Sequence, residues 1–405
     1  MAFIKPFNGI RYSKKNITNL ICPPYDVISP LEKAKLKKLS KNNAVSLELP
    51  DAQGKKNKYA NAAALLEEWL EEGVLEQDSE PAFYFYEQTF KSGGVKKSRR
   101  GFFAALKLEN PYNGSVKVHK KTLAAPKADR LSLLKAAKAN LSPIFGLFED
   151  NKLTAVNICK SVAKRAPQTT AKDTDGTTHK LWAVCDADIV TEIEKLVAGK
   201  KMFIADGHHR YETAWNYFCD RKKKDPKFFE NKDYGFVMAF ICPMEDPGIA
   251  ILPTHRVVKE PKNFESLIEK YFDVLGEKCY PKLAKSSSGI QPLLVYKKGK
   301  YRTLMLKKDA DLKKIMPKRC KAYTELAVSI LHAILISGAE AADCVYVKDA
   351  KEAAATAKKT GKIAVIVPAT PIEALKEIAL NNEIMPQKST YFYPKLASGV
   401  VIRSV

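Results

Sequence analysis

Residues 201–218 constrain the fold more than any other segment, because they encode a strand, a tight turn and a helix in immediate succession. The apolar run at 202–205 predicts a buried strand, and Gly207 directly after Asp206 predicts the turn. Apolar residues then recur at helical spacing: Tyr211, Ala214, Trp215 and Phe218. The spacing predicts a helix that begins near His208. Strands that lead through short turns into helices build α/β folds.

The same alternation continues along the chain and predicts a mixed α/β (α+β) fold. An aromatic strand at 82–86 and a strand at 101–108 flank the hairpin turn at 92–94. A length of 405 residues predicts two or three domains. Two prolines and a glycine at 242–248 interrupt the apolar runs and indicate a boundary. We therefore expect a catalytic, nucleotide-binding region at 1–245 and a C-terminal α/β domain at 246–405 that contributes to the site.

Composition limits the class of protein and of partner. Hydrophobic residues make up 45% of the chain, and no stretch approaches the roughly 18 apolar residues of a membrane span. The N-terminus lacks the pattern of a secretory signal, which predicts a cytoplasmic protein without a membrane partner. The net charge of +23 favours polyanions, either nucleic acid or phosphorylated small molecules. The basic residues form short, scattered clusters, which are more typical of a solvated surface.

The turn itself carries the strongest chemical signal. The first N–H groups of a helix lack intrahelical partners and favour an anion, so a phosphate is the natural ligand there. Gly207 permits close backbone approach, Arg210 can bind phosphate oxygens in a fork, and His208 and His209 can donate hydrogen bonds. Asp206 can hold a magnesium ion or accept a proton. Helix capping alone explains Asp206 and Gly207, but not the two histidines and the arginine beside them.

Several weaker patterns add candidate residues. The diproline turn before Tyr25 and Asp26 fixes the direction of a carboxylate, although an ordinary turn explains it equally well. A second His-Arg pair follows a strand, and a polar run follows a turn; their residues are His255, Arg256, Lys388, Ser389 and Thr390. Possible substrate or anion contacts are Tyr25 and, in basic loops, His119, Lys127 and Arg130. No P-loop, Rossmann glycine pattern or His/Cys metal cluster is present in the sequence.

Taken together, four segments resemble the DUF-1015 family of bacterial and archaeal proteins. They are Pro23-Pro-Tyr-Asp-Val-Ile-Ser29, Ala205-Asp-Gly-His-His-Arg-Tyr-Glu-Thr213, Ile251-Leu-Pro-Thr-His-Arg256 and Met385-Pro-Gln-Lys-Ser-Thr-Tyr-Phe-Tyr-Pro-Lys395. The resemblance covers the whole chain, and the segments occur in the family's order. One position departs from the family pattern, because Lys120 stands where relatives commonly have glutamate.

The Asp206–Arg210 box is also similar to the phosphate-binding box of the ParB and sulfiredoxin superfamily, in which free-serine kinases carry the same five residues. That resemblance implies a ParB/sulfiredoxin-like core that binds ATP or ADP with Mg²⁺ and transfers a phosphoryl group to free L-serine. It also implies a link to serine metabolism. Such a kinase needs a carboxylate to accept the hydroxyl proton. Asp206 is the first candidate and Asp26 the second, followed by Glu87 and Glu212.

Two other classes of function stay open. The first is a ParB-like nucleotide- or nucleic-acid-binding protein without kinase activity, which the charge of +23 favours. The second is a structural or regulatory protein that has kept a phosphate site without catalysis, for which Lys120 is the motivating residue. The sequence leaves open the phosphate donor, the oligomeric state and the identity of the base.

Overall fold

A computed structural model describes residues 2–52, 57–122, 124–224, 232–276, 290–337 and 344–405. The described strands, in chain order, are β1 Ile4–Lys5, β2 Gly9–Tyr12, β3 Leu75–Gln77, β4 Phe83–Ser92, β5 Val95–Lys107, β6 Val116–Lys117, β7 Ala139–Asn140, β8 Ile144–Phe148, β9 Thr169–Lys172, β10 Thr178–Val184, β11 Met202–Asp206, β12 Phe236–Pro243, β13 Ile251–Leu252, β14 His255–Val258, β15 Phe272–Val274, β16 Leu293–Lys297, β17 Lys300–Leu306, β18 Val345–Val347, β19 Ile363–Ile366, β20 Tyr391–Phe392 and β21 Ile402–Ser404.

The described helices, in chain order, are α1 Pro30–Leu39, α2 Val45–Glu48, α3 Lys58–Glu71, α4 Ala124–Ala137, α5 Thr154–Val162, α6 Ala187–Val197, α7 His208–Lys224, α8 Phe264–Tyr271, α9 Leu312–Ile315, α10 Lys321–Thr324, α11 Ala327–Ile330, α12 Ala350–Thr360 and α13 Ile372–Leu380. This mixture of helices and sheets confirms the predicted mixed α/β class. Within the described ranges, no helix is both long and apolar enough to cross a membrane.

The described chain forms two compact units. The first contains the residues up to Val118 together with Thr122–Ala250 and Pro394–Val405, and the second contains His119–Lys121 and Ile251–Tyr393. The last twelve residues therefore pack with the first unit, although the sequence placed them in the C-terminal domain. The assignment of 1–245 and 246–405 to a catalytic region and a contributing domain stays a prediction.

A nine-stranded sheet organises the first unit. Its strand order is β6-β11-β8-β12-β5-β4-β10-β9, and β1 pairs with β5 outside this path. Strand β12 lies inside the sheet and is buried along its whole length, as expected for a strand covered on both faces. A second sheet has the order β3-β2-β21-β7. The long hairpin of β4 and β5 turns at Gly93 (φ 59°) and Gly94 (φ 81°), which confirms the predicted hairpin turn.

The two faces of the large sheet differ in character. One face forms an apolar core that includes Tyr211, Ala214 and Phe218 from α7, while Trp215 packs against it half-buried, which confirms the predicted face of this helix. The opposite face carries an aromatic cluster that contains Tyr86, Phe103, Phe145 and Phe240, with ring centroids 5.1–5.6 Å apart. Strand β11, which leads into α7, therefore lies between two packed layers.

The second unit is built on a six-stranded sheet of order β15-β17-β16-β19-β14-β18. Its apolar core includes Phe264, Ile268, Leu304 and Val365, so α8 packs on this sheet as its periodicity predicts. The sequence pattern at 323–337 predicts one helix, but this helix is interrupted because Leu326 has an extended backbone (ψ 123°) between α10 and α11. A π-helical turn at Leu331–Leu335 follows α11.

Candidate functional site

The strand–turn–helix segment of the first unit forms as predicted. Strand β11 ends at Asp206, α7 begins at His208, and Gly207 between them has a φ of 85°. A Cβ atom at Gly207 would lie 3.1 Å from the Ile144 Cα and 3.2 Å from the Arg210 guanidinium. The turn therefore requires glycine twice, for its positive φ and for the lack of space. The first helical hydrogen bond runs from the Tyr211 N–H to the Gly207 carbonyl, at 2.9 Å.

A β-bulge directs the Asp206 side chain. The register of β11 against β8 shifts between Ile204 and Asp206, so that Asp206 pairs with Phe145 while Ile204 pairs with Gly146. Bulges beside functional sites re-aim a single side chain in this way. The carboxylate of Asp206 consequently stands at the N-terminal end of α7.

Two cations meet this carboxylate. The Lys395 Nζ lies 2.8 Å from Asp206 Oδ1, and the Arg210 Nη2 lies 3.3 Å from Asp206 Oδ2. Each of the three side chains is only 11–17% exposed, so solvent screens their charges weakly. Arg210 also donates to the carbonyl of Pro143. One carboxylate between two cations leaves a net positive charge beside a helix N-terminus, an arrangement that favours an anion.

Lys395 is the site residue that sequence reasoning missed. Its carbonyl accepts a hydrogen bond from Gln88 Nε2 at 2.9 Å, and the neighbouring Pro394 carbonyl accepts one from Arg99 Nη2 at 2.7 Å. The Arg99 guanidinium is fully buried and lies 4.8 Å above the Phe145 ring. The aromatic face of the sheet thereby fixes the backbone that presents Lys395. The sequence offered one signal for it: Lys395 is the last residue of the Met385–Lys395 segment, one of the four segments that resemble the family.

The histidines of the box lie in the first turn of α7. His208 is 4% exposed, and His209 is half-buried. Glu212, one turn further along, is 7% exposed and accepts hydrogen bonds from Thr122 Oγ1 at 2.6 Å and Lys127 Nζ at 2.9 Å. Two of the sequence candidates, Glu212 and Lys127, thus pair with each other and join α4 to α7.

Tyr25 and Arg130 come together near the same end of α7. The Arg130 guanidinium lies 4.2 Å from the Tyr25 ring centroid. Burial raises the pKa of Tyr25 to about 12, and the nearby charges of Arg210 and Arg130 act against this shift. Asp26 is exposed, in the short 3-10 turn that also contains Tyr25. The structure therefore groups three candidates, Tyr25, Arg130 and Arg210, and leaves Asp26 at the rim of the group.

Glu87 is not part of this group. It lies on β4, which is separated from β11 by β5, β12 and β8. Its Oε2 accepts a hydrogen bond from Arg100 Nε at 2.6 Å, and Lys180 Nζ lies 4.0 Å from its Oε1. Gln88, the next residue, contacts Lys395, and successive side chains of a strand point to opposite faces. Glu87 thus forms cross-strand ion pairs on the other face, and a catalytic role for it stays a prediction.

His255 and Arg256 lie in the second unit, where both are buried in β14. The Arg256 guanidinium donates to the carbonyl oxygens of Thr254, Gln387 and Lys388, the last two at 2.8 and 3.3 Å. Burial lowers its pKa to about 10. These bonds give Arg256 a structural role in holding the loop at 387–388, and nucleotide binding by this pair stays a prediction.

The polar run after the 385–387 turn also lies in the second unit. Lys388 is exposed and has a φ of 53°, whereas Ser389 and Thr390 are buried. The carbonyl of Ser389 accepts a hydrogen bond from Thr370 Oγ1 at 2.7 Å. Lys120 Nζ donates to the Thr390 carbonyl at 3.3 Å. The lysine that replaces the family's glutamate is therefore bound to the backbone of this run.

His119 is fully buried in the same unit, and its carbonyl accepts a hydrogen bond from the Met385 N–H at 3.0 Å. This backbone bond joins the 119–121 segment to the start of the polar run. A role for His119 or for the polar run in binding an anion stays a prediction.

Two histidines of the second unit, the buried His255 and the half-buried His332, predict a pH-dependent stability of this unit. Burial, reinforced by the charge of Arg256, lowers the pKa of both His255 and His332 from 6.5 to about 4. Between these pH values the unfolded state binds more protons, so stability falls as the pH falls from 6.5 to 4. Full protonation of each histidine would thus lower the stability of the folded state by roughly 3 kcal/mol relative to neutral pH.

We expect hydrogen exchange of β14 and β19 amides, corrected for intrinsic rates, to show a lower opening free energy at pH 5 than at pH 7. The His332→Leu variant is expected to reduce this difference by about half, because the two histidines have similar shifts. An opening free energy that is the same at both pH values would contradict the prediction.

The side chains around Asp206 do not fit a metal ion held by the protein. Lys395 and Arg210 occupy both carboxylate oxygens, whereas magnesium requires oxygen ligands in their place. Among the residues that the structure describes, no group of three or more His, Cys, Asp or Glu side chains could hold a metal ion. The assignment of Mg²⁺ to Asp206 stays a prediction, and we assign no chemical step to a metal.

Comparison with known proteins gives one family and several distant structures. Residues 4–329 match the model of a family described as protein of unknown function (DUF1015). No curated protein matches the chain. A mutant of free serine kinase in complex with AMP is 13% identical, with a TM-score of 0.35 over 69% of this chain and 84% of that chain. A conserved hypothetical protein from Pyrococcus furiosus is 15% identical, with a TM-score of 0.33 over 70% and 89%.

SbnI with a C-terminal truncation, from Staphylococcus aureus, is 10% identical, with a TM-score of 0.35 over 73% of this chain and 85% of that chain. TM-scores and identities at this level support no argument about the fold or function of this chain. The chemistry of the site is therefore argued from its own residues.

Proposed function

The chain belongs to the DUF1015 family, and we propose that it is a small-molecule kinase that transfers a phosphoryl group from ATP or ADP to free L-serine. The observation that carries the proposal is the place of the Asp206 carboxylate, at the N-terminus of α7 between Lys395 and Arg210. A phosphoryl-transfer site needs cations for the phosphates and a carboxylate for the hydroxyl proton. Arg210 and Lys395 provide the cations, and Asp206 provides the carboxylate.

The nucleotide phosphates would bind at the turn. The N–H groups of Gly207, His208 and His209 point out of the helix end, and the macrodipole of the 17-residue α7 favours negative charge there. Arg210 and Lys395 would supply charge-assisted hydrogen bonds to phosphate oxygens. Since both cations already contact Asp206, a bound phosphate would share them with the carboxylate.

The transfer then follows from the positions of these groups. The serine Oγ attacks the terminal phosphorus, a new O–P bond forms, and the bond from phosphorus to the bridging oxygen breaks. Asp206 accepts the proton of the serine hydroxyl, and the electron pair of the broken bond leaves with the nucleotide as ADP or AMP. Arg210 and Lys395 stabilise the charge that spreads over the phosphoryl oxygens in the transition state.

Serine as the acceptor is supported by resemblance. The five residues Asp206–Arg210 resemble the phosphate-binding box of free-serine kinases in the ParB and sulfiredoxin superfamily. The proposal includes a link to serine metabolism, and nucleotide-bound magnesium as the metal. Within the second unit it keeps His255, Arg256, Lys388, Ser389 and Thr390 as candidate phosphate- or nucleotide-binding residues, and His119 as a candidate substrate or anion contact.

An activity assay tests the proposal. The full chain is incubated with L-serine and either ATP or ADP, and phosphoserine is quantified by mass spectrometry. We expect phosphoserine with at least one of the two donors. If neither donor yields a product, and a screen of other hydroxyl compounds yields none either, the kinase assignment is refuted.

Substitution of Lys395 by glutamine is expected to weaken nucleotide binding about 10- to 100-fold, because one hydrogen bond to a charged group contributes about 1.5–3 kcal/mol. Calorimetric titration with ADP measures the effect. Lys14→Gln, which removes an exposed lysine of the same unit, is the matched control and should bind ADP as the unchanged protein does. If the Lys395 variant and the control bind ADP with equal affinity, Lys395 does not contact the nucleotide.

A second candidate function is nucleic-acid binding without catalysis, favoured by a basic run at the end of α7. Arg221, Lys222, Lys223 and Lys224 are consecutive and exposed. Binding through phosphates would weaken as the salt concentration rises, and the slope of log K against log salt would be about −0.9 per phosphate contact. Replacement of the three lysines by glutamine should then reduce the slope. Absence of DNA binding at low salt would exclude this function.

A further inference from the structure

The first unit contains a small, mostly apolar cavity of about 50 Å³ beside Arg210. Leu134 and Ala214 contribute to its apolar wall, and Glu48, Arg130 and Arg210 bring charge to it. Arg210 also donates to Asp206. The cavity therefore adjoins the proposed phosphate site through a shared side chain.

Glu48 is the unusual member of the wall. It is the last residue of α2 and is only 2% exposed. Its Oε2 lies 3.3 Å from Arg130 Nη1, which also donates to the Glu48 carbonyl at 2.9 Å. Its Oε1 is buried and accepts no hydrogen bond from any residue that the structure describes. Buried carboxylate oxygens are normally paired, so this oxygen is available for a ligand.

Arg130 is held in place by other partners. Its Nε and Nη2 donate to Asp129 Oδ2 at 3.0 and 2.6 Å, and Tyr25 covers its guanidinium face at 4.2 Å. An arginine that only neutralised Glu48 would bind both carboxylate oxygens in a fork. The geometry instead leaves one acceptor, Glu48 Oε1, buried and without a partner among the described residues, on a residue that lines the cavity.

We propose that Glu48 binds the ammonium group of the acceptor amino acid, an inference that rests on the proposed kinase function. A primary ammonium is a cationic donor and matches a buried, anionic acceptor. A cavity of this size holds only a few non-hydrogen atoms, since one water needs about 10–15 Å³ of such space. It therefore fits a short amino compound and excludes a nucleoside. Because Arg210 lines the cavity and also contacts Asp206, the rest of the substrate would lie next to the Asp206–Arg210 turn.

Calorimetric titrations of the full chain test the inference with three probes. L-serine and ethanolamine carry the amine, and glycerate keeps the hydroxyl and carboxylate but lacks the amine. We expect L-serine and ethanolamine to bind at least tenfold more tightly than glycerate. Glu48→Gln presents an N–H group or a neutral oxygen in place of Oε1. It should lower the affinity for the two amines at least tenfold and leave the affinity for ADP unchanged. Glu67→Gln, at an exposed position of α3, is the matched control.

A second variant protects the test against misfolding. Ala214→Val narrows the cavity from α7 without changing Glu48 or Arg130, and thermal unfolding shows whether each variant is folded. It is expected to weaken L-serine binding while ADP binding persists. Equal L-serine affinity in the unchanged protein, Glu48→Gln and Ala214→Val would overturn the inference, even if phosphoserine forms. Absence of amine binding to the unchanged protein would also overturn it. Amine binding that requires Glu48, without phosphoserine from either donor, would refute serine as the acceptor and support the amine site.

Discussion

Replacement of Asp206 by asparagine is expected to lower kcat for phosphoserine formation about 10²- to 10⁴-fold, the usual contribution of a general base. The asparagine side chain has nearly the same shape but cannot accept the hydroxyl proton at neutral pH. Its amide oxygen can still accept a hydrogen bond from Lys395 or Arg210, which now contact Asp206 at 2.8 and 3.3 Å. The measurement is the rate of phosphoserine formation at saturating nucleotide and serine.

The affinity for ADP separates this role from a structural one. Removal of the negative charge leaves Lys395 and Arg210 free to bind phosphate, so the Asp206→Asn variant should bind ADP as tightly as the unchanged protein or more tightly. Asp26→Asn, which changes the exposed second candidate, serves as the comparison. If Asp206→Asn retains full activity while Asp26→Asn loses it, the base is Asp26 and the assignment of Asp206 is wrong.

Substitution of Gly207 by alanine is expected to abolish tight nucleotide binding and to destabilise the first unit. The φ of 85° costs a non-glycine residue about 1–2 kcal/mol. The new Cβ would also lie 3.1 Å from the Ile144 Cα and 3.2 Å from the Arg210 guanidinium. Because the Ile144 backbone cannot move without displacing β8, Arg210 or the turn itself must shift. We expect at least a tenfold loss of ADP affinity.

Gly176 provides the matched control for this experiment. It has nearly the same backbone angle, with a φ of 82°, and no atom lies within 4 Å of the position of its Cβ. Gly176→Ala therefore introduces the strain without the close contact. We expect it to reduce stability slightly and to leave ADP binding unchanged. Equal ADP affinities of the Gly207 and Gly176 variants would show that the space at Gly207 is unrelated to nucleotide binding.

Local features of the fold could be predicted because neighbouring residues encode them. The turn at Gly207 and the hairpin at Gly93 and Gly94 use glycines with positive φ, and the apolar run at 202–205 ends just before Gly207. The buried face of α7 follows from helical spacing alone. Neither feature depends on distant parts of the chain, so the sequence was sufficient for both.

Lys395 could not be placed in the same way. It lies 189 residues from Asp206 in sequence, and its position depends on Gln88 and Arg99 in a distant hairpin. Glu48 illustrates the same limit, because its burial arises from contact with Arg130 on α4. Contacts of this kind follow from the sheet order, which local patterns do not encode.

A charged residue in the sequence can be functional or structural, and the sequence alone does not distinguish the two roles. Glu87 and Arg256 both resemble site residues in sequence, yet each is engaged by partners of its own unit. Glu87 pairs with Arg100, and Arg256 donates to backbone carbonyls at 387–388. Only the structure shows these bonding partners, and a functional role for either residue stays a prediction.

The most direct measurement is a crystal structure of the full chain with a non-hydrolysable ATP analogue. The central claim is that the turn from Asp206 to Arg210 binds nucleotide phosphates. We predict that the terminal phosphate lies within hydrogen-bond distance of the N–H groups of Gly207 and His208, with Lys395 and Arg210 on its oxygens. An analogue whose phosphates bind elsewhere, while this turn contacts none of them, would contradict the account.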